Sequence, residues 1–362
     1  MLQNFLFIYR KLNIVPDLKN NAFDFVRLFL SVVVVISHSK MIGFGQQEYG
    51  LNIRDIQSFV TLGAFAVFGF FAISGFLITS SLLNSRSISE FIEKRFRRIL
   101  PGFWACLILT AIFFAPLYYW LSGNSFLEYF TKFGLNGHQY IWNNITTEIK
   151  VGYIGNTLDK AIKKEINGPL WSLIFELKAY TFLVLFYFFG IFKNKYLVLL
   201  PFIFFWFSHY QVVFNTSYNI WFTNWVGDYK LACLFSYFFA GSFLYVWKEK
   251  IFWNWTFFIL SILLLYLGLF LDQFALFAPL CLTYSILFIS FALPIKNLGK
   301  KFGDYSYGIY IYSWPIQNVL FLCGFASFGL LSYTVVSILL SIIAGFLSWH
   351  LVEKRFLRRK AT

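Results

Sequence analysis

Long apolar runs separated by short polar breaks recur along this chain from about residue 22 to about residue 352. A run of about 20 predominantly apolar residues lets an α-helix cross the hydrocarbon core of a bilayer. The pattern therefore predicts an all-α fold, a polytopic integral membrane helical bundle with about ten transmembrane helices. The predicted spans are 22–39, 58–82, 99–121, 169–190, 195–210, 231–247, 252–271, 275–293, 304–323 and 330–352.

Basic residues fall in every second connection between these runs, as in "EKRFRR", "FKNK", "WKEK" and "EKRFLRRK". Cytoplasmic loops carry an excess of lysine and arginine, so we predict that both termini are cytoplasmic. A leader at 1–21 then precedes a membrane domain at 22–352 and a basic tail at 353–362. The aromatic segment 212–229 contains three asparagines and is interpreted as either a loop or a re-entrant segment. The longest connection, 122–168, lies outside and is a functional candidate by its length.

Composition narrows the class of protein. Hydrophobic residues make up 59% of the chain and charged residues only 13%, about half the charged fraction of a soluble domain. The formal net charge of +14 comes from short clusters between apolar runs, which favours a role in topology over nucleic-acid binding. The four cysteines lie inside apolar runs without paired spacing, so we predict no metal site and no disulfide framework.

The first predicted helix, "DFVRLFLSVVVVISHSK", keeps polar residues that a plain membrane span would lack. Asp24 and Arg27 are one turn apart and can form an ion pair that lowers the cost of burying either group. His38 follows Arg27 by almost three whole turns, so Arg27, Ser31 and His38 form one stripe about 16 Å long. Alternatively, Asp24 and Arg27 only anchor the helix at the interface and His38 extends outward to water.

Six segments carry further chemistry, in this order: the opening "DFVR" with its later histidine, "SGFL", "EKRFRRILPGFW", "GPLWSLIFELKAY", "FGDYSYGIYIYSWPIQ" and "SWHLVEKRF". Together they resemble acyltransferase family 3, membrane proteins that O-acetylate bacterial surface polysaccharides and related glycans. The resemblance covers nearly the whole chain. It implies a bacterial inner-membrane enzyme that uses acetyl-CoA as its donor and holds no resident cofactor.

Two departures from the family pattern limit what the resemblance implies. Many relatives carry a histidine where this chain has Ser313, so a second catalytic histidine is not expected here. Some relatives also carry an extracytoplasmic hydrolase-like domain after the membrane unit. We expect the membrane unit of this chain to act alone or with a separate partner.

Arg95 and Arg98 stand one turn apart at the predicted cytoplasmic end of the third span. Guanidinium groups so placed can bind phosphate, and the resemblance implies the nucleotide phosphates of acetyl-CoA. Arg27 is expected to contact the same donor along the stripe of the first helix. The alternative is a basic cluster that only sets topology.

Glu176 lies inside the fourth predicted span, with Ser172 and Tyr180 one turn to either side. An intramembrane carboxylate is a functional candidate by default. We predict that Glu176 meets His38 or a substrate hydroxyl at similar depth, with a structural pair to Arg27 as the alternative. The remaining residues expected around the substrate cavity are Ser74, Trp171, Ser172, Tyr310 and Ser313.

The late helix repeats polar residues at helical spacing, namely Ser306, Tyr310, Ser313 and Gln317. This second stripe is expected to line the same cavity, although tyrosines near helix ends also serve as interface anchors. Ser74 and Gly75 are expected to permit close approach of a helix or ligand.

The resulting hypothesis is a membrane O-acetyltransferase with His38, Glu176 and Asp24 as catalytic residues. His38 acts as a general base on a sugar hydroxyl or as a transient acyl carrier, and the sequence does not separate these routes. The expected partners are acetyl-CoA, a glycan or lipid-linked oligosaccharide acceptor and membrane lipid, without nucleic acid. The rival hypothesis is a transporter or flippase of a lipid-linked glycan, and a polysaccharide polymerase would need a larger catalytic outer loop.

Overall fold

Helices form nearly all of the computed structural model, which describes residues 14–51, 60–214 and 229–357. Two short strands, β1 (Gly50–Leu51) and β2 (Val60–Thr61), pair antiparallel. The helices are α1 (Phe23–Phe44), α2 (Leu62–Leu83), α3 (Ile88–Leu109), α4 (Ala115–Leu121), α5 (Glu128–Asn144), α6 (Leu173–Phe188), α7 (Leu199–Phe214), α8 (Tyr229–Val246), α9 (Trp255–Phe270), α10 (Phe274–Ala292), α11 (Leu298–Phe302), α12 (Ser306–Leu322), α13 (Leu330–Ser348) and α14 (Lys354–Leu357).

Seven helical stretches of the described chain are long and apolar enough to cross a membrane. They are Phe23–Phe44, Leu62–Leu83, Ile88–Leu121, Gly168–Phe188, Tyr229–Val246, Phe274–Ala292 and Leu330–Leu357. The shorter helices α7, α9 and α12 occupy the remaining predicted spans. The prediction of an all-α, polytopic membrane fold is therefore confirmed.

The third span begins well before the predicted residue 99. Ser87 caps it, because its hydroxyl accepts a hydrogen bond from the backbone N–H of Glu90 at 3.1 Å. The arginine-rich segment thus belongs to the first turns of α3 and not to a loop. Each arginine consequently has a fixed position on a helix face.

A π-helical turn at Thr110–Phe114 joins α3 to α4. Pro116 explains it, since proline has no backbone N–H and would clash with the preceding turn of a regular α-helix. The carbonyl oxygen of Ala111 instead accepts a hydrogen bond from the Tyr129 hydroxyl at 2.7 Å. This contact attaches the helix of the long connection, α5, to the membrane bundle.

The long connection contains this 17-residue helix, which the sequence analysis did not predict. Gly134, Asn136 and Gly137 lower the helix propensity of the segment. Tertiary contacts override that preference, because Tyr129 and Tyr140 are fully buried against the bundle. The Asn144 side chain also donates to the Val151 carbonyl at 2.8 Å and fixes the end of α5.

Helices α2 and α8 pack backbone against backbone. A Cβ atom on Gly75 would lie 1.8 Å from the Phe238 carbonyl oxygen, and one on Gly241 would lie 2.2 Å from that of Ala72. The expectation that Gly75 permits close approach of another helix is confirmed. This contact fixes the rotation of α2 and thereby the direction in which its neighbour Ser74 points.

Successive membrane helices alternate in direction, which sorts the polar residues between two ends of the bundle. We call the end with Arg98, Asp304 and Glu353 the basic end, and the end with His38 and Glu48 the loop end.

Three sequence-based interpretations fall outside the described residues in whole or in part. They concern most of the leader, the segment between α7 and α8, and the end of the basic tail.

Candidate active site

The polar stripe of α1 begins with a partly buried ion pair at the basic end. Asp24 Oδ1 lies 2.5 Å from Arg27 Nη2, as the one-turn spacing predicts. Asp24 Oδ2 accepts a hydrogen bond from the backbone N–H of Gly299 at 3.1 Å. Arg27 also approaches Asp304 Oδ2 at 3.2 Å, so this part of α1 is tied to the segment before α12.

His38 lies at the other end of α1 and pairs with a carboxylate. Its Nδ1 is 2.7 Å from Oε1 of Glu48, which follows α1 in the connection to α2. The Ser37 hydroxyl donates to the other Glu48 oxygen at 2.8 Å and accepts from the backbone N–H of Gly63 at 3.0 Å. These contacts hold Glu48 between the end of α1 and the start of α2.

The electrostatics of this pair define which nitrogen of His38 can react. Burial raises the pKa of Glu48, but the hydrogen bond and charge of His38 and the hydroxyls of Ser37 and Thr61 together outweigh burial. The pKa of Glu48 therefore lies below its ordinary value, and the group is a carboxylate at neutral pH. Because a carboxylate only accepts hydrogen bonds, Nδ1 carries a proton, and in the neutral ring Nε2 presents its lone pair.

Helical periodicity did not indicate Glu48 as a partner of His38, and it predicted that Glu176 meets His38 or a substrate hydroxyl. The structure places Glu48, and not Glu176, beside His38. Glu176 Oε1 accepts hydrogen bonds from the hydroxyls of Ser74, at 3.2 Å, and Tyr180. Ser74 follows Gly63, the residue level with His38, by eleven residues, which is about 16 Å along α2. Glu176 therefore lies too far toward the basic end to touch His38.

Arg95 and Arg98 have different surroundings. Arg98 lies 2.6 Å from Asp304 Oδ2 and 3.3 Å from Glu353 Oε2, so two carboxylates already engage it. Arg95 has no carboxylate partner among the described residues, and its Nε atom is buried without a hydrogen bond. The spacing of the segment did not reveal this difference, because Asp304 and Glu353 are distant in sequence.

A cleft of about 960 Å³ occupies the basic end, and Arg95, Lys94 and Lys300 line it. A smaller cavity of about 90 Å³, the inner cavity, lies next to this cleft. Four residues line both spaces, namely Arg27, Ser74, Arg98 and Glu176. The cleft thus continues from a cationic opening toward the middle of the bundle.

Two hydroxyls form the polar wall of the inner cavity. Ser172 Oγ is 2.7 Å from the Tyr310 hydroxyl, which donates to the Pro169 carbonyl at 3.0 Å. Both residues were expected in the substrate cavity, and both line this one. They join α12 to the turn that precedes α6.

The predicted polar stripe of α12 divides at Tyr310. Ser306 and Tyr310 line the inner cavity, whereas the fully buried Ser313 donates to the Tyr310 carbonyl at 3.3 Å. Gln317 donates to the Val35 carbonyl and the Ser39 hydroxyl and so joins α12 to α1. Trp171 lines a different cavity, at the loop end. Ser313, Gln317 and Trp171 thus do not line the inner cavity, and their place around the substrate stays a prediction.

Comparison with known proteins gives this geometry a chemical context. A family model described as an acyltransferase domain matches residues 20–350. An O-acetyl transferase of Shigella phage Sf6 is 28% identical over 360 residues, which cover 95% of this chain and 98% of the relative. No solved structure matches the chain significantly.

Proposed function

The chain belongs to the acyltransferase family and is a membrane acyltransferase, and we propose that it moves an acetyl group from cytoplasmic acetyl-CoA to a hydroxyl of a surface glycan. The acceptor would be an O-antigen, capsule, exopolysaccharide or similar glycan at the outer side of the bacterial inner membrane. One observation carries the proposal. Helix α1 bears Arg27 in a cationic cleft at one end and the His38–Glu48 pair at the other.

The basic end is the proposed donor site and the cytoplasmic side. Nucleotide phosphates need cations without other strong partners, and the cations of this cleft differ in that respect. Lys94 pairs with Glu90 at 2.9 Å, and Arg98 is held by Asp304 and Glu353. We therefore assign phosphate binding chiefly to Arg95, and we assign to Arg98 the role of holding α3 against α12 and the end of α13.

The inner cavity is the proposed path of the pantetheine arm. That arm carries amide groups, which need hydrogen-bond partners when they leave water. The Glu176 carboxylate and the hydroxyls of Ser74, Ser172 and Tyr310 supply acceptors and donors along this wall. Glu176 would then bind and position the donor and not act on His38.

His38 is the proposed reacting group at the loop end. As a general base, Nε2 takes the proton of the acceptor hydroxyl while the hydroxyl oxygen attacks the thioester carbonyl. The carbon–sulfur bond then breaks, and the imidazolium returns the proton to the leaving thiolate. As an acyl carrier, Nε2 itself attacks the thioester carbonyl, and the carbon–sulfur bond breaks to release the CoA thiolate. The acceptor hydroxyl then attacks the acetyl group, the carbon–nitrogen bond breaks, and the hydroxyl proton passes to the thiolate. In either route Glu48 stabilises the positive charge that develops on the ring.

Acetyl transfer can be tested in membranes that contain the full chain. Labelled acetyl-CoA should give base-labile label on surface glycan, because the product is an ester. A His38→Ala variant that still binds acetyl-CoA is the matched control and should give no label. A chain that moves glycan across the bilayer without any ester formation would instead act as a flippase.

A further inference from the structure

A cavity of about 130 Å³ at the loop end has no role in the chemistry described above. Its walls come mainly from α2, α7 and α8, and Val60, Trp171 and Phe274 complete them. The lining includes one cation, Lys230, whose Nζ lies 4.8 Å from the centroid of the Trp171 ring. Val67 lines both this cavity and the inner cavity. We call it the aromatic cavity, because the Phe68 ring stacks on the Tyr237 ring at 4.4 Å between centroids.

Tyr237, which lines the aromatic cavity, has a buried hydroxyl without a partner among the described residues. Tyr237 is fully buried, and its hydroxyl makes no hydrogen bond within the described part of the chain. Buried polar groups in folded proteins are nearly always paired. His209, also buried, lines the same cavity, and its Nδ1 lies 3.2 Å from the Ser236 hydroxyl. A polar group from outside the chain can therefore pair with Tyr237 here.

The chemistry of the lining side chains indicates which class of ligand fits the aromatic cavity. A hydrocarbon tail would suit the apolar walls but leave the Tyr237 hydroxyl unpaired. About four waters would fit at roughly 30 Å³ each, but apolar and aromatic side chains supply few partners for them. A neutral sugar ring has a C–H face for the aromatic rings and hydroxyls for Tyr237 and His209.

The aromatic cavity opens from the same end of α2 as the catalytic pair. Val60 and Ala64 line it, and Gly63 between them donates its N–H to Ser37, the neighbour of His38. We propose that the aromatic cavity binds one neutral sugar ring of the acceptor glycan, adjacent to the ring that receives the acetyl group. This assignment rests on the proposed glycan acceptor.

Cys233 provides a direct probe, because its free thiol lines the aromatic cavity. The purified wild-type chain would be treated with methyl methanethiosulfonate, and modification of each cysteine would be followed by peptide mass spectrometry. The competing ligands are a panel of methyl hexopyranosides, with hexanol as the hydrocarbon probe. At least one glycoside should slow modification of Cys233 and leave the exposed Cys323 unchanged.

Tyr237→Phe tests the proposed hydrogen bond. It should raise the glycoside concentration needed for half protection by about three- to tenfold, the loss expected for one hydrogen bond. Thermal stability should stay at the wild-type level, since the deleted hydroxyl has no partner in the described chain. The matched control is Tyr245→Phe, which removes a hydroxyl from α8 outside the cavity and should leave protection unchanged.

The possible outcomes separate this assignment from the proposed function. Failure of every glycoside to protect Cys233, equal protection in Tyr237→Phe, or protection by hexanol alone would overturn the sugar site. Protection without any acetyl transfer would contradict the proposed function and support the sugar site. Acetyl transfer to surface glycan, with no glycoside that protects Cys233, would support the proposed function and remove the sugar site.

Discussion

The two ends of helix α1 hold charged groups in different ways. At the basic end, Asp24, Arg27, Asp304, Arg98 and Glu353 form one network that joins several helices. At the loop end, the His38–Glu48 pair is supported by a serine hydroxyl. Multiple carboxylates fix a guanidinium and reduce its ability to bind an anion, whereas a single carboxylate leaves one imidazole nitrogen available. In the proposed mechanism, one end therefore serves as scaffold and donor site, and the other end makes the new bond.

The largest effect is expected from His38→Ala. Loss of a general base typically lowers the rate by a factor of about 10² to 10⁴, and loss of an obligatory acyl carrier should cost at least as much. Acetyl-CoA binding should stay near the wild-type level, because the donor cleft does not include His38. Turnover and donor binding would be measured on the same folded preparation. Substantial transfer by a well-folded variant would remove His38 from the mechanism.

Arg98→Ala should mainly affect folding. Removal of one partner from a buried ionic network costs about 3 to 5 kcal/mol of stability, and here Glu353 would lose its cationic partner among the described residues. Arg97→Ala is the matched control, since Arg97 pairs with the exposed Glu93 and surface pairs contribute about 0 to 1 kcal/mol. Thermal unfolding in detergent would compare the two. Equal stability of both variants would show that Arg98 is not a scaffold residue.

Arg95→Ala should weaken donor binding and leave folding intact. Loss of a hydrogen bond to a charged group costs about 1.5 to 3 kcal/mol, or roughly 10- to 150-fold in the acetyl-CoA dissociation constant. Lys94→Ala serves as the control in the same cleft, because Lys94 already pairs with Glu90. If acetyl-CoA binds Arg95→Ala as tightly as wild type, the segment is only a topology signal.

A smaller effect, on thermal stability, is expected when the pH is lowered. The lowered pKa of Glu48 means that its charged form stabilises the folded state above the ordinary value of 4.5. This contribution is lost as the pH falls through the lower pKa of the folded state. Wild type should therefore lose more thermal stability than Glu48→Gln between pH 6 and about pH 3. Parallel acid profiles for the two proteins would show that the pair does not contribute.

The sequence predicted the membrane helices and the local part of the site. Apolar runs are long enough to specify spans, and the Asp24–Arg27 pair follows from their separation by one turn. The partners of Arg98 lie 206 and 255 residues away, so their contacts depend on how α3, α12 and the end of α13 pack. Glu48 reaches His38 because the connection to α2 turns back, and helical periodicity contains no information about that turn.

The central claim is that Glu48, and not Glu176, supports His38. The most direct measurement compares Glu48→Gln with Glu176→Gln in acetyl-CoA binding and in single-turnover acetyl transfer. Glu48→Gln should slow transfer at least about tenfold without change in donor binding, because the amide no longer stabilises the positive charge on the His38 ring. Glu176→Gln should instead weaken donor binding and leave the single-turnover rate at saturating acetyl-CoA close to wild type. A normal transfer rate in Glu48→Gln together with slow transfer in Glu176→Gln would contradict the account.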